Sequence, residues 1–138
     1  MSLPTGGTIY TDGDYTIHKF TSDGTFTPTK SGNVQVLVVA GGGSGASGIS
    51  GAGGGAGGVQ YNSSFAVTAQ GYAVTVGDGG ASPASGYNVG NDGEDSVFST
   101  ITAIGGGGGG TYNVAGRNGG CGGGAFGYPN ASSGEIAA

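Results

Sequence analysis

Val34-Gln35-Val36-Leu37-Val38-Val39-Ala40-Gly41-Gly42-Gly43 is the stretch on which the reading of the fold turns. A near-continuous apolar, β-branched run from Val34 to Ala40 has the length and composition of a buried strand. Three glycines then end it. The same transition recurs at Ile101-Thr102-Ala103-Ile104, which is followed by the unbroken run Gly105 to Gly110. The chain therefore couples short apolar strands to glycine tracts twice. The strands are expected to form a small core, and the glycines a second ordered structure beside it.

Composition bounds what can be built around these junctions. The 138 residues fit one domain, and 37 of them are glycines with no side chain to bury. That is roughly four times the ordinary share of about 7%. No window shows apolar residues at helical spacing, so essentially no α-helix is expected. Charged residues make up only 8% of the chain while 35% are hydrophobic, a poor fit to charge-driven disorder. The net charge is −5, and Lys19, Lys30 and Arg117 are the only cations. That argues against nucleic acid, which is held through a basic surface. No apolar run reaches the ~18 residues of a membrane-spanning helix, so no membrane insertion is expected. The N-terminus lacks a basic region followed by an apolar one, so no signal peptide is read there. Cys121 is the single cysteine, which leaves no internal disulfide.

Along the chain, residues 1–7 read as a leader or linker. Thr8 to Tyr10 and Tyr15 to Thr21 have strand composition, with Asp12-Gly13-Asp14 as a turn between them. Asp23-Gly24 is a hairpin signal that should return Thr25 to Thr27 against the preceding strand. Lys30 to Asn33 turns the chain into the central strand. Val59 to Tyr61 and Phe65 to Thr68 are strand candidates on either side of Asn62-Ser63-Ser64. Tyr72, Val74 and Val76 alternate as in a half-buried strand. Ser96 to Ser99 and Thr102 to Ile104 form the last strand pair. Glycine tracts occupy 41–58 and 105–134, and the chain stops before a closing strand comes into view.

A tract of glycine and serine reads either as a flexible coil or as packed polyglycine II helices, with three residues per turn and about 3.1 Å rise per residue. A lone helix of this type has no internal hydrogen bonds, so its peptide groups need partners in neighbouring helices. Glycine permits that close approach. Strict Gly-X-Y spacing is absent, which excludes a collagen triple helix. The packed form is the expectation adopted, with the strands fixing the tract ends. The fold class is thus all-β: a small, jelly-roll-like β-sandwich with polyglycine II helices beside it.

Motifs for chemistry are few. Gly43-Ser44-Gly45-Ala46-Ser47-Gly48 matches the dinucleotide fingerprint in form, but no helix can start after it. Gly90-Asn91-Asp92-Gly93-Glu94-Asp95-Ser96-Val97-Phe98 resembles one copy of a calcium-binding nonapeptide, which makes Asp92 and Asp95 a weak calcium candidate. Such sites use tandem copies, and one stands here, so the plainer reading is an acidic turn before a strand. His18 is the single histidine and reads as structural. Asn62-Ser63-Ser64 and Asn130-Ala131-Ser132 fit the glycosylation sequon, which matters only in a eukaryotic secretory pathway. No cofactor is implied, no active site is in view, and the chain is expected not to be an enzyme. Tyr87, Tyr112 and Tyr128, set among glycines, are the candidate receptor-binding residues, since aromatics are favoured at binding hot spots. Their alternative role, shared with Phe126, is packing at the sheet edge.

The ordered series Gly6-Gly7-Thr8-Ile9, Ile17 to Thr21, Gly24 to Thr27, Val36 to Gly43, Gly57-Gly58-Val59, Val74 to Gly77 and Ser96 to Gly110 resembles the glycine-rich domains of bacteriophage tail-fibre and tail proteins. Related adhesin modules carry variable residues at the tips of polyglycine II helices. The resemblance implies a non-enzymatic virion component with structural and host-recognition roles. Its partners would be other tail proteins, itself as a homo-oligomer (most simply a trimer), and a host surface glycan or outer-membrane protein. Such domains usually run on to a final Val/Ile-rich strand, which this sequence does not show. The rival readings are an ice-binding polyglycine protein and a calcium-dependent extracellular adhesive module.

Overall fold

The structure is a computed structural model and describes residues 3–126 and 132–137. It is all-β, with no helix among the described residues. The strands are β1 (Thr8–Asp12), β2 (Tyr15–Lys19), β3 (Gly24–Phe26), β4 (Gly32–Val39), β5 (Val59–Val67), β6 (Tyr72–Thr75), β7 (Ser96–Phe98) and β8 (Ile101–Ala103). They form a ribbon β1-β2, a ribbon β4-β5 and a four-stranded sheet β3-β6-β7-β8, with every pairing antiparallel.

Two hairpins follow the sequence signals. Asp12 pairs with Tyr15 across Gly13-Asp14, and Gly13 takes φ 56°, the left-handed value such a turn requires. Phe98 pairs with Ile101 across Ser99-Thr100, with Ser99 at φ 53°. The hairpin expected at Asp23-Gly24 does not form. β3 pairs with β6 instead, with Phe26 opposite Tyr72, and the Asp23 carboxylate accepts the Val76 N–H at 2.8 Å. Pairing at long range carries Phe26 into the core, where its ring lies 6.3 Å from that of Phe98. That burial outweighs the local turn preference.

β5 is also one strand rather than two. Asn62 to Ser64 stays within it at a bulge, where Val34 faces Phe65 but Val36 faces Asn62. The Asn62 side-chain oxygen accepts the Ser64 N–H at 2.9 Å, so the bulge satisfies itself locally.

The core comprises Phe26, Val38, Ala40, Val67, Tyr72, Phe98 and Ala103. Phe98 is its hub: Phe65 meets it edge-on at 5.3 Å and Tyr72 stacks on it at 6.0 Å. β4 and β5 cover β7 and β8, while His18 of β2 sits edge-on over Phe26 of β3 at 5.0 Å. The two ribbons thus form the layer opposite the four-stranded sheet. The central strand is buried on one face only. Val34, Val36 and Val38 turn inward, whereas Leu37 and Val39 are 64% and 54% exposed. A continuous apolar run reads as buried on both faces, but only one face of β4 is covered.

Beside the sandwich the glycine tracts are hydrogen-bonded to one another. Ala40, Gly43 and Ala46 donate to the carbonyls of Gly58, Gly55 and Ala52. The residues one step on, Gly41, Ser44 and Ser47, donate to Glu94, Asn91 and Asn88. Donors three residues apart therefore meet the same neighbour, which is the repeat of a polyproline-type helix. This is the polyglycine II arrangement expected from the sequence, and segments 40–47, 51–58, 88–95, 104–110, 114–120, 121–126 and 132–137 all take part.

Segment 104–110 is the axis of the bundle, and Gly105 to Gly110 are all buried. Gly106 and Gly109 donate to Gly41 and Ser44, and Gly107 and Gly110 to Cys121 and Gly124. Carbonyls of the same segment accept from Gly58, Gly55 and Ala52, from Gly93 and Gly90, and from Gly120 and Arg117. The glycines here serve space rather than backbone conformation: none of the six has a positive φ. A Cβ built on any of them would overlap backbone of a neighbouring segment, such as the carbonyl of Gly55 at Gly106 or of Gly90 at Gly108.

Candidate functional site

Strand direction within the bundle decides which loops share an end. Segments 40–47 and 104–110 run parallel, since Gly106 bonds Gly41 and Gly109 bonds Ser44. Segments 51–58 and 88–95 run antiparallel to both. The sandwich holds the end carrying Ala40, Gly58, Glu94 and Ile104. The turns at 48–51, 82–87 and 111–114 therefore gather at the opposite, distal end.

This end bears the exposed side chains of the bundle. Ile49 is 93% exposed, Tyr87 63% and Tyr112 47%. Their backbones are fixed from beneath. Gly48 takes φ 93°, and a Cβ there would overlap the Gly86 carbonyl, so the 48–51 turn is seated on the Tyr87 loop. The Ser47 hydroxyl donates to the Gly86 carbonyl at 2.9 Å and accepts the Asn88 N–H at 3.2 Å. Thr111 and Val114 exchange backbone hydrogen bonds around Tyr112-Asn113, with Asn113 at φ 57° and Thr111 buried beneath. Of the candidate receptor-binding residues, the structure brings Tyr87 and Tyr112 to one end. Tyr128 lies outside the described residues. Ile49, a lone apolar residue in a glycine tract, belongs with them. Its sequence signal was the isolation itself.

Asp92 and Asp95 lie elsewhere, against the axis of the bundle. Asp95 Oδ1 accepts the Gly105 N–H at 2.7 Å and Asp92 Oδ1 the Gly108 N–H at 2.9 Å. Within Gly105 to Gly110 these are the two donors that no main-chain carbonyl meets among the described residues. The carboxylates, three residues apart like the donors, replace the carbonyls of a missing helix. Asp92 Oδ2 also takes Arg117 Nε at 3.2 Å, tying segments 88–95 and 114–120 together across the gap. The acidic turn is thus engaged in closing the bundle. Among the described residues no group of three or more His, Cys, Asp or Glu side chains is placed to hold a metal ion.

His18 Nδ1 donates to the Gly6 carbonyl at 2.8 Å, and its Nε2 is buried with no hydrogen-bond partner among the described residues. Its place is structural, over Phe26. Cys121 is exposed, and its carbonyl accepts the Gly107 N–H. No helix of the described chain is long and apolar enough to cross a membrane.

A small β-sandwich whose loops are joined into a polyglycine II bundle is, by architecture, a glycine-rich scaffold that presents a set of turns. The chain belongs to the glycine-rich domain family, whose model matches residues 21–137. No curated protein and no solved structure matches it.

Proposed function

We propose that this chain is a non-enzymatic structural and host-recognition module of a phage virion, in a tail fibre or tail-associated protein. The observation that carries this reading is the distal end of the bundle. Ile49, Tyr87 and Tyr112 stand exposed together on turns held by main-chain bonds and by the Ser47 hydroxyl beneath them. Aromatic and large aliphatic anchors on a rigid frame lose little conformational freedom on binding. The exposed turn side chains take no part in the main-chain bonds of the bundle, so these positions can vary without disturbing it. The target is then a host surface glycan or outer-membrane protein, and the neighbours are other tail proteins or further copies of this chain.

Two measurements test the proposal. Gold-labelled antibody against the chain should decorate tails of particles from its native source. The labelled protein should adhere to the cells those particles infect, and Tyr87→Ala with Ile49→Ser should reduce adhesion at least tenfold. Undecorated particles together with no adhesion would defeat the proposal. Thermal hysteresis in the purified protein would favour ice binding in its place.

A further inference from the structure

β4 with segment 40–47 and β5 with segment 51–58 make one long hairpin that turns at 48–51. Its inner side covers β7, β8 and the axis of the bundle. The outer side has two parts. On the ribbon, Leu37 stands opposite Tyr61 and Val39 opposite Val59, and all four are between 54% and 64% exposed. Neighbouring cross-strand pairs of this size make a continuous apolar patch, and such patches mark contact surfaces. On the tract, the donors of segment 40–47 fall into three rows. Ala40, Gly43 and Ala46 bond segment 51–58, and Gly41, Ser44 and Ser47 bond segment 88–95. The third row, Gly42 and Gly45, meets no acceptor among the described residues. With three residues to a turn, that row points away from both neighbours and out of the bundle.

Charge and composition say what fits this face. Lys30 and Asp78 bound a stretch, residues 31–77, that holds the whole hairpin and carries no charged residue. A charged surface laid on it would be stripped of water with no opposite charge to meet. The partner is therefore uncharged, and apolar where it covers Leu37, Val39, Val59 and Tyr61. Over the tract it must bring main-chain acceptors to Gly42 and Gly45 at three-residue spacing, an approach that glycine permits. The hairpin itself has this composition in this order. Its size also suffices. The eight residues of β4 span about 26 Å, segment 40–47 adds about 25 Å, and two chains side by side are about 10 Å wide. The face is then about 500 Å² per copy and about 1,000 Å² for two, where specific interfaces begin.

We propose that the outer face of hairpin 32–67 is an interface between two copies of this chain. The two-fold axis runs along the hairpin, so that ribbon meets ribbon and tract meets tract. The net charge of −5 resides on other elements, so the two copies meet without bringing like charges together in the contact. Both sets of distal turns then point the same way. The interface does not depend on the role proposed for those turns.

The test is sedimentation of the full chain up to about 100 μM, since a contact near the lower size limit is weak. A dimer is expected. Leu37→Asp places an unpaired charge in the face of each copy and should leave a monomer with an unchanged melting temperature. Leu37→Thr with Tyr61→Thr, which suits an exposed strand, should do the same and serves if the aspartate lowers the melting temperature. Amide exchange at Gly42 and Gly45 should be at least tenfold slower in the concentrated wild type than in the dilute one. A wild type that is monomeric throughout overturns the proposal and leaves the face to another partner. So does a dimer that survives both sets of substitutions. A trimer also overturns it, because a face that pairs with itself about a two-fold axis closes at two.

Discussion

Gly106 and Gly42 both belong to glycine tracts, yet a methyl group meets different surroundings at each. At Gly106 it would overlap the carbonyls of Gly55 and Ala56, which are backbone and cannot swing aside. At Gly42 the nearest atom would be 3.5 Å away, an ordinary contact, and at Gly53 nothing lies within 4 Å. Gly106→Ala should therefore cost about 3 kcal/mol in urea unfolding, as overfilling of a close-packed interior does. Gly53→Ala should be neutral or stabilise by about 0.4–1 kcal/mol through a less free unfolded chain. Equal effects at the two sites would show that the tracts are not packed as described. The carboxylates give a second contrast. Asp92→Ala strands the N–H of buried Gly108 and should cost about 1–3 kcal/mol. Asp92→Asn keeps an oxygen for that N–H and loses mainly the half-exposed ion pair with Arg117, worth about 1 kcal/mol or less. If the two variants unfold alike, the hydrogen bond to Gly108 contributes nothing.

At the scale of elements, each tract is held where a strand delivers it. β4 feeds segment 40–47, β8 feeds segment 104–110, and β5 receives segment 51–58. Fixing so many glycines is costly in entropy, so the bundle depends on these anchored ends. Phe98→Ala opens a hole beneath β4 and β6 and should cost about 3–5 kcal/mol. It should also speed amide exchange in Gly105 to Gly110, although Phe98 stands at the sandwich and not in the bundle. In the native protein those amides should exchange the slowest of all tract amides, since their segment is surrounded. Exchange that is faster there than in segment 88–95 would contradict the axial position. Elements differ in how plainly the sequence announced them. The turn at Gly13 was legible because its glycine declares it locally, and the last strand pair was legible from its composition, although Ser99 belongs to the turn and not to the strand. The β3-β6 pairing was not, because its partner lies more than forty residues away and the Asp23-Gly24 turn signal pointed elsewhere.

For the whole molecule, the sandwich holds one end of the bundle and the turns proposed for recognition stand at the other. Ile49→Ser with Tyr87→Ala should shift stability by less than about 0.5 kcal/mol, because both side chains are largely exposed, while cell adhesion falls. A comparable loss of both would mean that the turns serve packing rather than recognition. The candidate site was half legible in the sequence. Tyr87 and Tyr112 stood out as aromatics among glycines, but nothing local showed that they share an end. Asp92 and Asp95 looked like cation ligands by spacing, and that spacing is matched to the three-residue repeat of the segment they face. The sequence by itself determined the all-β class, the strand-to-glycine junctions and the polyglycine repeat, because strand composition and the absence of side chains act within a few residues. Tertiary structure alone decided which segment became the axis, which turns met at the far end and which face of the central strand stayed uncovered. Those depend on the direction in which each segment crosses the bundle, and direction is fixed by contacts between residues far apart in the chain.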